Sequence, residues 1–193
     1  MSLKTKVKAG NITNLSDARY CAGMGVDWLG FPSDRIDAKT FAEITGWVTG
    51  PQFILELSAG SISESLGEYS VDFLQIDYTQ LKEIQNVSNA TFIVKLSLSD
   101  WVNAKATISK NIDRISFLLL TDLNKSASSN QDTIDEIQSY ADIFIELDSC
   151  NYTLEEVLDL SVSGIGISGN QELKPGLKDY TELADVLERL EVD

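Results

Sequence analysis

At 193 residues the chain is long enough to bury one substantial core and short for two. Its 43% hydrophobic and 23% charged content is that of a globular domain and excludes a disordered chain. Thirty acidic against 15 basic side chains leave a formal charge of -15, a surface that repels nucleic acid and anionic membranes, both of which need Lys/Arg clusters.

Short apolar runs alternate along the chain with amphipathic stretches. The predicted strands are Thr5–Gly10, Trp28–Pro32, Gln52–Ala59, Val71–Asp77, Thr91–Leu98, Arg114–Asp122, Asp142–Asp148 and Val162–Ser168. Several are almost continuously apolar, as parallel strands covered on both faces must be. Between them lie stripes of helical period. Ala18, Cys21, Ala22 and Gly25 form a small-residue face, and Phe41, Ile44 and Val48 a larger one. Ile134, Ile137 and Ala141 recur at helical spacing, then Leu154, Val157 and Leu158, and finally Leu183, Val186, Leu187 and Leu190. Ser16, Ser99 and Thr153 are the expected N-caps. Trp28, Trp47 and Trp101 are expected in the core or at helix–barrel contacts.

Eight strands, each followed by a helix through a short connection, predict an α/β fold: a single (β/α)8 TIM barrel spanning residues 1–193. An open dinucleotide-binding sheet would need G-x-G-x-x-G after the first strand, and the chain has none there. The chain contains no His, which removes the usual neutral-pH acid/base and the commonest transition-metal ligand. Cys21 and Cys150 form neither a metal-ligand pair nor a disulfide framework. No apolar run reaches membrane-spanning length, and the N-terminus has no signal-peptide core. A soluble cytoplasmic protein is expected, a monomer or homodimer, with no metal, no cofactor, no membrane and no nucleic-acid partner.

The segment Val7-Lys8-Ala9-Gly10-Asn11-Ile12-Thr13-Asn14-Leu15-Ser16-Asp17-Ala18 resembles the V-K-I-C-G-I-T-N-x-x-D-A opening of phosphoribosylanthranilate isomerases. Gly25-Val26-Asp27-Trp28-Leu29-Gly30-Phe31 resembles their G-A-D-x-x-G-F, and Ser33-Asp34-Arg35-Ile36 the turn that follows. Leu74-Gln75-Ile76-Asp77 stands in the place of V-Q-L-H. Near the end, Gly164–Glu172 parallels G-V-D-V-S-S-G-V-E, and Pro175-Gly176-Leu177-Lys178-Asp179 matches P-G-x-K-D. The likeness runs in order over nearly the whole chain.

The resemblance implies an Amadori rearrangement of an aminoaldose phosphate to an aminoketose phosphate, in tryptophan biosynthesis. A general acid protonates the ring oxygen, and a general base takes the proton from the adjacent carbon. In the family a cysteine ending the first strand is the base, and an aspartate ending the sixth is the acid. Here the cysteine position is Gly10, which has no titratable group, and the family glycine after it is Asn11. Asp122 is the candidate acid, one residue late after Leu118-Leu119-Leu120-Thr121, a shift that turns a strand side chain to the other face. Arg35 matches a substrate-binding arginine, and its competing reading is a surface residue beside Asp34 and Asp37.

The family's phosphate loops are altered. Lys125–Gln131 replaces G-G-T-G, and Glu146-Leu147-Asp148-Ser149 replaces A-G-G-L, putting carboxylates where backbone amides would approach phosphate. Ser168, Gly169 and Asn170 remain as the candidate phosphate nest. Lys8 is expected to pair inside the barrel with Glu56, Lys95 or Glu146. Asp77, Asp122 and Asp148 fall at strand ends on the catalytic face, where a Mg²⁺ or Ca²⁺ site is the minority reading. Cys150 is a substitute thiolate in principle, blunted by acidic neighbours. Two functional classes follow: an isomerase, impaired or lost at Gly10, acting on a small phosphorylated metabolite, or a non-catalytic barrel that binds a small metabolite or a protein partner.

Overall fold

A parallel strand buried on both faces needs a neighbour on each edge, and only closure supplies that to every strand. In the computed structural model, residues 2–58, 62, 66, 68–87, 89–125, 130–169 and 181–192 are described. They form one closed barrel in the order β1-β2-β3-β4-β5-β6-β7-β8. The strands are β1 (Lys6–Gly10), β2 (Trp28–Pro32), β3 (Gln52–Glu56), β4 (Phe73–Asp77), β5 (Thr91–Ser97), β6 (Ile115–Thr121), β7 (Ile143–Glu146) and β8 (Gly164–Ser168). Closure is made by β8 on β1, in register from Lys6↔Gly164 to Gly10↔Ser168.

The predicted strands are all present, Trp28–Pro32 with its expected bounds and the others shorter. β6 stops at Thr121 because Asp122 takes a left-handed backbone with φ 58°. β7 stops at Glu146 because Leu147–Ser149 winds into a 3-10 turn. β3 ends at Glu56, and Ala59 lies outside the described residues.

Helices α1 (Leu15–Gly23) and α2 (Ala38–Thr45) pack outside, with Trp101–Lys110, Asn130–Gln138, Leu154–Asp159 and Thr181–Leu190 further along the chain. Five of them bury the centre of a predicted stripe, Ala18 and Cys21, Phe41 and Ile44, Ile134 and Ile137, Leu154 and Val157, Leu183 and Leu187, while Ala22, Ala141, Leu158 and Val186 are half-buried and Gly25 lies beyond α1. Tyr78–Asn86 is a 3-10 helix begun by an Asp77 capping box with Gln80. Two of the expected caps are corrected. Asn14, not Ser16, caps α1 by accepting from the Asp17 amide at 2.9 Å, and Ser99 lies inside a 3-10 turn. Thr153 is a cap, in a box with Glu156. Trp47 is also corrected: it is 70% exposed, at the end of α2, while Trp101 is buried. No helix among the described residues is long and apolar enough to cross a membrane.

The outer core lies between sheet and helices. A second apolar cluster fills the barrel interior: Ile54, Ile93, Phe117, Leu119 and Phe144, with Trp28 and Phe73 against it. Phe117 and Phe144 stack at 4.0 Å between centroids, and Trp28 meets Phe73 edge-on at 4.9 Å. Gly164 makes room for this packing, since a Cβ there would overlap the Phe144 ring and lie 2.6 Å from the Lys6 carbonyl oxygen. The cluster fills the interior below the C-terminal ends of the strands, the face on which barrel active sites are built.

Candidate active site

Side chains two apart on a strand share a face. From the apolar cluster, Ile54 leads to Glu56, Phe73 to Gln75, Ile93 to Lys95 and Phe144 to Glu146, one step nearer the mouth. Lys8 joins this layer, because its partner Gly166 is in turn paired with Glu146. On these strands the interior therefore changes from apolar to polar in a single step.

Lys8 and Glu56 form an ion pair with side chains only 2% and 14% exposed. The second Glu56 oxygen accepts from the Asn11 backbone amide at 3.0 Å. Lys95 Nζ lies 2.7 Å from Glu146 Oε2. Of the partners expected for Lys8, Glu56 is the one it meets in a buried pair, while Glu146 pairs with a Lys95 side chain that is 41% exposed. Gln75, buried beside Glu56 in register, keeps its Oε1 without a hydrogen-bond partner, as does the Oδ1 of Asn11.

Gly10 ends β1 at the barrel mouth, buried, where the family cysteine is expected. A Cβ built there would lie 2.7 Å from both Glu56 Oε1 and Lys8 Nζ. A Cβ on Gly30, on the neighbouring strand, would overlap the same carboxylate. The missing side chain has left no hole: Glu56 fills it. Asn11 takes φ 63°, the conformation that explains a glycine in the family motif, and asparagine is among the few other residues that tolerate it. Its side-chain amide donates to the Gly169 carbonyl at 2.9 Å and ties β1 to the loop after β8.

At β6 the interior position belongs to Thr121, which follows Leu119 on the same face and is buried. Asp122 stands past the strand, exposed, with Thr121 Oγ1 3.3 Å from its carboxylate. The one-residue displacement read from the sequence is thus a real change of place. Arg35 sits in the turn after β2, its side chain 42% exposed, with Nε 3.9 Å from Asp34 Oδ1.

The anion site is altered by hydrogen bonding as well as by charge. Asp148 accepts from the Ser168 backbone amide at 2.7 Å. The Gly169 amide donates to the Gly10 carbonyl at 2.9 Å. Both amides are already engaged within the protein, and Asn170 lies outside the described residues. Glu146 is a correction: it turns inward to Lys95, so of the two carboxylates only Asp148 reaches the end of β8. A unit charge about 6 Å from a phosphate costs about 3 kcal/mol at an effective dielectric near 20. Replacing Asp148 by Asn or Gly is therefore expected to strengthen binding of ribose 5-phosphate or sulfate, measured calorimetrically. Tight binding by the unmodified protein, unchanged in Asp148→Asn, would contradict this.

Asp77, Asp122 and Asp148 do not converge on a cation. Asp77 caps its 3-10 helix through the Thr79 amide and hydroxyl, Asp148 is on Ser168, and no cluster of three or more metal-ligating side chains occurs among the described residues. Burial pushes the Cys150 thiol up, and the Asp148 carboxylate adds to that. Its Sγ donates to the Leu147 carbonyl at 3.4 Å, so it is poorly suited to act as a thiolate.

No family model matches the chain. It is 25% identical to the N-(5'-phosphoribosyl)anthranilate isomerase of Maridesulfovibrio salexigens, over 92% of this chain and 94% of that protein. Its fold is similar to the phosphoribosyl anthranilate isomerase of Thermus thermophilus, with a TM-score of 0.67, 17% identity and coverage of 96% and 98%. The enzyme from Pyrococcus furiosus gives 0.62 at 12% identity, covering 96% of this chain and 98% of that one. The likeness in sequence extends over 92% of the chain, and the likeness to the solved structures is one of fold.

Proposed function

We propose that this barrel is a divergent relative of phosphoribosylanthranilate isomerase in which the Amadori rearrangement is impaired or lost. The observation that carries the reading is the overlap of Glu56 with the side-chain position of Gly10. Where the family places a thiol there is a carboxylate, already bonded to Lys8 and Asn11. The base is absent, the candidate acid Asp122 stands outside the barrel interior, and Asp148 holds an amide that a phosphate would use.

These features support the binding reading over turnover. Cys21 and Cys150 are free thiols, in keeping with a reducing cytoplasm. The deciding experiment is complementation of a tryptophan auxotroph that lacks this isomerase. The chain is expected not to restore growth, and purified protein is expected not to convert phosphoribosylanthranilate. Growth at the rate given by an intact family member would overturn the reading.

A further inference from the structure

On the outside of the barrel, between α2 and the segment leading into β4, lies an open groove of about 430 Å³. It sits toward the N-terminal ends of β3 and β4, away from the mouth. Its floor is apolar. Ile54 points into the barrel, so Phe53 before it points outward, where it meets Phe31 edge-on at 6.1 Å. Phe41 lies beside it on α2, and Phe53 and Val71 stay half-buried because the adjoining Ala42 and Gly46 are too small to cover them. The rim is acidic: Glu68 and Asp72 line it, both exposed, and no lysine or arginine does. Here α2 ends with no basic residue in its last turn, so the negative end of the helix has no cation of its own. Trp47, next after Gly46, is 70% exposed and adds an aromatic face that attracts cations.

We propose that this groove docks a basic segment of a partner protein, one that places an apolar side chain between lysines or arginines. The apolar side chain covers Phe53 and Val71, which removes their remaining surface from water. The flanking cations meet Glu68 and Asp72, a pairing of opposite potentials that sets the register of the segment. A second copy of this chain is a poor occupant, because two molecules of formal charge -15 repel each other. The surface lies apart from the strand ends, so the proposal stands whether or not the isomerase reaction is lost.

The test is calorimetric titration of the full chain with three end-blocked hexapeptides: Lys-Arg-Leu-Phe-Lys-Arg, Lys-Arg-Ser-Ser-Lys-Arg and Glu-Glu-Leu-Phe-Glu-Glu. The first is expected to bind at least about ten-fold more tightly than either of the others. Ala42→Arg, which puts a long cation into the groove from an exposed helix position, is expected to abolish that binding. Glu68→Gln with Asp72→Asn is expected to weaken it by about ten-fold or more. Both variants are expected to keep the thermal midpoint of the parent, which separates a lost contact from a lost fold. Equal affinity for the serine peptide would reduce the effect to general attraction by an acidic protein and overturn the proposal. Absence of binding, or an affinity that Ala42→Arg leaves untouched, would overturn it as well. So would a dimer in sedimentation that Ala42→Arg dissociates, since the groove would then belong to a second copy.

Discussion

Glu56→Ala is expected to destabilise the protein by about 3–5 kcal/mol, the range seen when one member of a buried ion pair is removed. The Lys8 side chain is 2% exposed and would be left buried with no carboxylate beside it. The Asn11 amide would lose its acceptor at the same time. For a domain of this size each kcal/mol is roughly 2–4 °C in thermal midpoint, so the drop is readable by calorimetry or circular dichroism. The control is the double replacement Lys8→Met with Glu56→Leu. Removing both charges is expected to bring stability back to within about 1–2 kcal/mol of the parent, because the desolvation cost leaves with them. A Glu56→Ala loss below about 1 kcal/mol would mean that water reaches Lys8 and that the pair is not structural.

Gly10→Cys is expected to cost stability and to gain no efficient isomerisation. The new Cβ would meet Glu56 Oε1 and Lys8 Nζ at 2.7 Å, closer than real Cβ contacts, so the ion pair must shift. Overpacking of this kind costs about 1–3 kcal/mol. A thiol placed there would lie between the Glu56 carboxylate and the Lys8 ammonium, whose effects on its ionisation oppose each other, while Asp148 would still hold the Ser168 amide. General-base catalysis contributes about 10²–10⁴-fold only when substrate is correctly seated, and restoring the group does not restore the seat. The measurement is phosphoribosylanthranilate turnover by the purified variant beside its unfolding midpoint. Turnover near about 10 s⁻¹, an ordinary enzyme rate, would show that the rest of the site is intact.

The architecture was legible in the order of residues. Apolar runs such as Phe117–Leu120, buried throughout, and stripes such as Ile134 and Ile137 each encode a local period, and eight repeats of strand then helix leave few topologies besides a closed barrel. The errors were local. Ser16 has a capping side chain, but Asn14, two residues earlier, has the extended backbone a cap requires. Trp47 looks like core by type, yet α2 has already turned its buried face through Phe41 and Ile44.

For the site, the sequence by itself determined the negative result: no histidine anywhere, and glycine where the family has its base. It also carried polar residues within largely apolar strands, Glu56 in Gln52–Glu56, Gln75 in Phe73–Asp77, Lys95 in Thr91–Ser97 and Glu146 in Ile143–Glu146. Only closure of the barrel decided what those residues do. It brings Lys8 to Glu56 across 48 residues of chain and Asp148 to Ser168 across 20, distances over which no local period carries information. It also decided that the space vacated at Gly10 belongs to a carboxylate from β3, since which side chain fills a gap depends on the register of neighbouring strands and the volume they leave.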